Sequence, residues 1–218
     1  GIGHFWGYRN WDAPDASRNI SPLGILIGGE ELHNNHHAFP ASAKLSSNKW
    51  YEFDIGWMYI RILETLGLAR VKKVAPVPKF APAKSMVDLE TVQAVITNRY
   101  DVLAKYAKSL KAVYAEELAK LKARAPQDVE LMRRVRRWLH RDESKLAAAE
   151  RESLRAALAS SKTLATTYSM RAELEALWER SHASRDQLVR QLQDWCHRAE
   201  ASGIVPLRDF SIRLRSYA

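Results

Sequence analysis

Beyond residue 85 the apolar positions recur at helical spacing. Leu89, Val92, Val95, Ile96, Val102, Leu103 and Tyr106 form one stripe, which predicts a long helix over 85–124. Asp88 and Glu90 put acid in its first turns, as the helix dipole prefers, and Ala125 and Pro126 break it. Asp128 can cap a second helix over about 129–158, interrupted at Ser160 and Ser161. A third helix is predicted over about 162–180 and a fourth over about 183–201, after Ser181 and stopped by Gly203. Pro206 opens a short helix or extended tail at 204–215. No fixed repeat or sustained heptad runs through these segments.

The pattern before residue 85 is different. Residues 1–20 are aromatic and polar without a clean period, with a turn predicted at 12–15 around Pro14. An apolar stretch at 20–27 leads through Gly28 and Gly29. It reads as a helix over roughly 22–36, with Pro22 in its first turn. A strand ending at Ile27 and followed by a turn competes with it, because each internal glycine costs a helix about 1 kcal/mol. Residues 38–48 form a loop that Pro40 starts. Residues 50–68 read as an amphipathic helix with Trp50, Phe53, Trp57, Ile60, Leu63 and Leu66 on its apolar side. Packing on a core and lying at a membrane interface both suit that face. Residues 71–84 are a basic linker punctuated by Pro76, Pro78 and Pro82. Three segments result: 1–70, the linker 71–84 and a helical tail 85–218.

Composition narrows the partners. The formal charge is +9, from 34 Lys and Arg against 25 Asp and Glu, which favours an anionic neighbour. Arg133, Arg134, Arg136, Arg137 and Arg141 would suit phosphates. Yet Glu130, Asp142 and Glu143 flank them, and Trp138 and Leu139 look like core, so no nucleic acid is expected. An anionic lipid surface or an acidic electron donor fits better. Cys196 is the single cysteine. It excludes an intrachain disulfide and a Cys-rich metal site, and it makes no nucleophile pair with His197, since adjacent side chains on a helix point apart. No run of eighteen apolar residues occurs. The chain opens on Gly1, and an upstream part with membrane spans is expected.

The densest chemistry lies in His33-Asn34-Asn35-His36-His37. Histidines at i, i+3 and i+4 share a helix face, and neutral imidazole is a good ligand for iron, zinc and copper. With His4 they offer nitrogen donors for one ion, or half of a two-ion site. Zinc held with Glu30 or Glu31 is a single-ion alternative. The zinc-protease pattern HExxH is absent. His140, His182 and His197 are scattered among charged helices and read as surface.

Residues 1–79 resemble the C-terminal part of integral-membrane fatty-acid desaturases, the bacterial acyl-CoA type. The resemblance is carried by GIGHFWGYRNWDAPDASRN with His4, by HNNHH, and by the following FP and a Trp- and Tyr-rich helix ending in GLA. It implies an all-α fold: the C-terminal cytoplasmic part of a helical membrane di-iron enzyme, followed by an accessory helical tail. It implies an acyl-CoA desaturase that inserts a cis double bond into an acyl-CoA or lipid-bound acyl chain with O2. Two electrons would come from a ferredoxin, rubredoxin or cytochrome-b5-like donor and its reductase. His4, His33, His36 and His37 map onto ligands of two iron ions, the other ligands lying outside this chain. Arg9, Asp12, Asp15, Arg18, Asn19, Asn34 and Asn35 would fix the loop or orient the ligands. The implied location is the bacterial inner membrane, this part on its cytoplasmic side. The 218-residue chain alone is then expected to be inactive and to hold iron poorly. An alkyl or lipid hydroxylase of the same di-iron group shares the His pattern. A basic helical interaction module is the reading from a different class.

Overall fold

The computed structural model describes every residue except Pro14, Asn48 and 180–182. The turn expected around Pro14, the helix start expected after Ser181 and the surface position expected for His182 therefore fall outside the described residues. The chain divides into two compact units, Gly1–Pro78 and Lys79–Ala218, so the linker expected over 71–84 is shared between them.

In the first unit the helix expected over 22–36 does not form. Two-residue strands β1 (Leu23–Gly24) and β2 (Phe53–Asp54) pair in parallel, and a turn precedes α1 (His33–Ala38). Gly28 and Gly29 take φ of +71° and +102°, a region where glycine has no steric penalty. The Glu31 carboxylate finishes the turn by accepting from the amides of Ile25 and Ile27 at 3.1 Å each, and from that of Leu26. Burial disfavours its charge, but these amides outweigh burial and hold its carboxyl below the ordinary range.

The helix expected over 50–68 is shorter, α2 (Ile55–Thr65). Asp54 caps it, accepting from the Trp57 amide at 2.9 Å with one oxygen and from Leu45 and Ser46 amides at 2.6 and 3.1 Å with the other. No residue of α2 is buried. The Pro-rich segment is pinned to this unit where Lys73 accepts from the Ala43 amide at 2.9 Å.

The second unit is a helical bundle: α3 (Leu89–Thr97), α4 (Arg99–Arg124), α5 (Val129–Val135), α6 (Ala148–Ala159), α7 (Lys162–Glu179), α8 (Arg185–Ala201) and α9 (Val205–Leu214). Tyr106, Trp195 and Phe210 meet edge to face at its centre, with ring centroids 5.0 to 6.1 Å apart. Their polar tips are satisfied: Tyr106 donates to the Thr167 carbonyl at 2.6 Å and Trp195 to that of Met170 at 2.8 Å. Two expected helices are split. Asn98 separates α3 from α4 because its side chain donates to the Ala94 carbonyl at 2.8 Å, ending the ladder there. The helix expected over 129–158 stops at Val135, because Trp138 and Leu139 turn inward to the core and the chain folds back before α6.

The all-α expectation holds for the bundle, but the membrane part of that expectation is corrected. Among the described residues no helix is long and apolar enough to cross a membrane. α2 is apolar but has 11 residues, against the roughly 20 a span requires. α4 has 26 residues but carries lysines and glutamates throughout. The described residues therefore supply no helical membrane span of their own, and they do not support the integral-membrane assignment or the inner-membrane location drawn from that resemblance.

Candidate metal centre

The centre lies in the first unit and is built on α1. Its two asparagines anchor the helix. Asn19, fully buried, accepts from the amides of Asn34 and Asn35 at 2.9 and 3.2 Å, so it caps the open N-terminal end of α1. Asn34 accepts from the amides of Asn10 and Trp11 at 2.9 Å each and donates to the Trp11 carbonyl at 3.0 Å. Asn35 accepts from Asn10 and Asn19 at 2.9 and 3.1 Å and donates to Glu52 at 3.0 Å. The helix is thereby fixed to the loop on one side, and its histidines are presented on the other.

The N-terminal loop delivers His4 to the same place. Tyr8 and Asn19 exchange backbone hydrogen bonds of 2.9 and 2.7 Å, and the Arg18 amide donates to the Gly3 carbonyl at 2.6 Å. Gly7 has φ of +117°, and a Cβ there would lie 1.9 Å from the Asn19 carbonyl oxygen. Gly3 is also tightly packed, since a Cβ on it would stand 2.8 Å from His33 Cδ2. Arg9 donates to the Ala13 carbonyl at 2.7 Å and pairs with Asp12 at 3.8 Å. Arg18 donates to the Gly7 carbonyl at 3.2 Å. Both arginines hold the loop's own backbone.

His4, His33 and His37 converge, each offering a nitrogen within 4.8 Å of the others. The Nε2 atoms of His4 and His33 are 3.1 Å apart. Two nitrogens bonded at about 2.1 Å to one ion at a right angle stand about 3.0 Å apart, so this pair is spaced as neighbouring ligands. The His37 ring centroid lies 4.3 Å from that of His33 and 5.3 Å from that of His4.

Protonation suits the same role. Burial, then the neighbouring His37 and His4, lower the pKa of His33, which keeps its lone pair available. His37 Nδ1 contacts the Asp15 carboxylate. A proton on Nδ1 toward Asp15 leaves Nε2 as the donor, the arrangement carboxylates commonly impose on metal-binding histidines. Burial opposes ionisation of Asp15, but hydrogen bonds from Ser17 and contact with His37 outweigh it and hold its carboxyl down at about 2. Three imidazoles of this geometry can hold a metal ion.

His36 shares the helix with them but stands outside the group of three. Its Nδ1 is buried without a hydrogen-bond partner and lies 3.6 Å from Glu30, which is also 3.7 Å from His33. His140 and His197 belong to the second unit, far along the chain from this cluster.

Two contributors were missed in the sequence. Glu52 accepts from Tyr8 at 2.8 Å, from Asn35 at 3.0 Å, and from the amide and hydroxyl of Ser47 at 2.7 Å each. Burial and this carboxylate keep the Tyr8 hydroxyl protonated. Asn10 joins Asn34, Asn35 and Ser47. The signal for Glu52 was a lone carboxylate between Tyr51 and Phe53; nothing marked Asn10.

Comparison with known proteins divides the chain. Residues 69–218 match DDE_Tnp_ISL3, a transposase family. The chain is also 49% identical over 75 residues to the sn-2 palmitoyl-lipid 9-desaturase of Nostoc sp. (strain 36), covering 34% of this chain and 25% of that protein. It is 48% identical over 66 residues to the Delta-9 desaturase-like 5 protein of Arabidopsis thaliana, 30% of this chain and 22% of that one. It is 46% identical over 72 residues to the sn-1 stearoyl-lipid 9-desaturase of Anabaena variabilis, 33% and 26% respectively. The chain thus spans about a quarter of the length of the curated relatives it matches. Two of these relatives are named for acyl-lipids, so the similarity is to the delta-9 and acyl-lipid desaturases and does not single out the acyl-CoA type expected from the sequence. No solved structure matches.

Proposed function

The chain belongs to the DDE_Tnp_ISL3 transposase family through residues 69–218, and for the histidine-bearing residues that precede this match we propose part of a desaturase-type oxidoreductase acting on acyl-lipids. The observation that carries the proposal is the convergence of His4, from one loop, with His33 and His37, from α1. The similarity to desaturases named for palmitoyl- and stearoyl-lipids supports it.

In this reading His4, His33 and His37 would hold one iron, and His36, outside that group, would be left to serve a second iron of a di-iron centre. Bound iron supplies the oxygen-activating redox chemistry. The overall reaction consumes O2, two electrons and two protons, removes two hydrogens from adjacent methylenes, and releases two waters. A ferredoxin, rubredoxin or cytochrome-b5-like protein supplies the electrons. The chain's own residues contribute positioning. Asn19, Asn34 and Asn35 fix α1, Asp15 orients His37, and Glu30 lies beside His33 and His36. Neutral nitrogen donors suit an oxidising centre that would destroy thiolates. Three histidines are a partial ligand set, so the 218-residue chain by itself binds iron weakly and does not turn over.

Transposase membership carries no reaction over to this chain. Phosphoryl transfer by paired metal ions needs clustered carboxylates. Among the described residues the one grouping of three or more His, Cys, Asp or Glu with metal-binding spacing is His4, His33 and His37, which lies outside 69–218.

A chimaera in which residues 1–78, a compact unit of their own, replace the matching segment of the Nostoc sn-2 palmitoyl-lipid 9-desaturase, expressed in a strain lacking desaturase, tests the proposal through gas chromatography of lipid fatty acids. A monounsaturated product that disappears when His33→Ala is made in the chimaera is expected. No product, or a product unchanged by His33→Ala, refutes it.

A further inference from the structure

A concave site in the second unit has no role in the desaturase reading. Between α4 and the segment that begins with α5 lies a cavity of about 700 Å³, within the usual size range for small-molecule sites. Leu110, Tyr114 and Leu139 give it a buried apolar floor. Its rim carries Lys111, Arg133, Arg134, Arg136 and Arg137, with Glu130 as the single carboxylate.

The charge at this rim is poorly balanced. Glu130 lies 4.0 Å from Arg133, and Arg137 lies over the Trp138 ring at 4.8 Å. Arg134 and Arg136 make no ion pair among the described residues. Elsewhere arginines do find carboxylates: Arg171 with Glu175 at 2.8 Å, Arg198 with Asp194 at 2.8 Å, and Arg215 with Glu200. Five cations drawn around one hollow repel each other unless an anion enters. Guanidinium groups match phosphate in geometry as well as in charge.

We propose that this cavity binds a small phosphate ester carried on an apolar or aromatic body, the phosphate at the Arg134 and Arg136 rim and the body on the Leu110, Tyr114 and Leu139 floor. A nucleotide and a lysophospholipid both present that chemistry. A DNA duplex fits less well. Its phosphates follow one another along a groove and leave unfilled the apolar floor of Leu110, Tyr114 and Leu139 that lies among these cations. The proposal rests on the second unit alone, so it stands or falls separately from the histidine centre.

Calorimetric titration of the 218-residue chain with ADP, with lysophosphatidate below its micelle concentration, with inorganic phosphate and with a short DNA duplex tests it. One-site binding of ADP or of lysophosphatidate, at least tenfold tighter than inorganic phosphate, is expected, and whichever binds identifies the source. The double variant Arg134→Gln, Arg136→Gln weakens that binding at least tenfold, and Arg134→Lys, Arg136→Lys restores part of it. Both arginines are exposed, and circular dichroism verifies that the variants keep the bundle. The proposal is overturned if neither ester binds more tightly than inorganic phosphate, if only the duplex binds, or if a folded glutamine variant binds as the parent does.

Discussion

Replacing Asn19 by Ala probes the joint on which the metal centre depends. The side chain is fully buried and makes three hydrogen bonds with α1: it accepts from two backbone amides, at 2.9 and 3.2 Å, and donates to Asn35 at 3.1 Å. Alanine leaves both amides without an acceptor in a site that water does not reach. Each lost hydrogen bond costs about 1 kcal/mol, and a donor stranded by burial costs about 1–3 kcal/mol. Loss of an N-cap alone costs about 0.5–2 kcal/mol. A local destabilisation of about 2–4 kcal/mol follows, which corresponds to roughly a 30- to 1,000-fold rise in the open population of α1. Amide hydrogen exchange reads it directly: protection at Asn34 and Asn35 falls by that factor, while amides in α4 and α8 of the other unit keep theirs. Asn19→Asp keeps the acceptor and recovers part of the protection. If protection at Asn34 and Asn35 is unchanged in Asn19→Ala, the side chain does not hold α1 and the argument for how the histidines are placed fails.

Three further outcomes follow from the same geometry. Gly3→Ala puts a methyl 2.8 Å from the His33 ring, so metal titration of this variant gives affinity reduced about tenfold, or about 1.4 kcal/mol, with the melting curve of the second unit unchanged. Asp88 caps α3 at 2.9 Å, and the Lys84 ammonium, then the Thr91 amide, hold its carboxyl at about 2, below its unfolded value. Its stabilisation is therefore present above about pH 4 and lost as pH falls toward 2. Thermal melts show Asp88→Ala less stable by about 1 kcal/mol at neutral pH, the difference closing on acidification. Trp195→Ala empties the centre of the bundle and costs about 3–5 kcal/mol in urea unfolding followed by far-UV circular dichroism.

Where a local signal matched its tertiary role, the fold was legible in the sequence. The helix expected over about 183–201 is α8, and Gly203, with φ of +71°, ends it where the glycine predicted a stop; the capping box of Ser184 and Gln187 that opens it went unread in the sequence. The three histidines on one face were legible from spacing alone. Their separation was not. His33 and His37 turn to His4, whereas His36 lies near Glu30, and that choice is made by a loop 29 residues upstream of His33. The break at Asn98 and the inward turn at Trp138 carried no glycine or proline to announce them. Glu31 read as a ligand alternative, yet its Oε1 is committed to three amides of its own turn and it stands outside the group of three histidines. The integral-membrane assignment came from the family resemblance and from no apolar run in these residues, and the helix read over 50–68 is itself shortened by the Asp54 cap.

Cobalt(II) titration of the 218-residue chain, followed by its visible absorption, tests most directly whether His4 joins α1 around one ion. The account predicts one weakly held equivalent with low-symmetry nitrogen coordination, lost in His4→Ala as completely as in His33→Ala or His37→Ala. A spectrum and affinity that survive His4→Ala would contradict it.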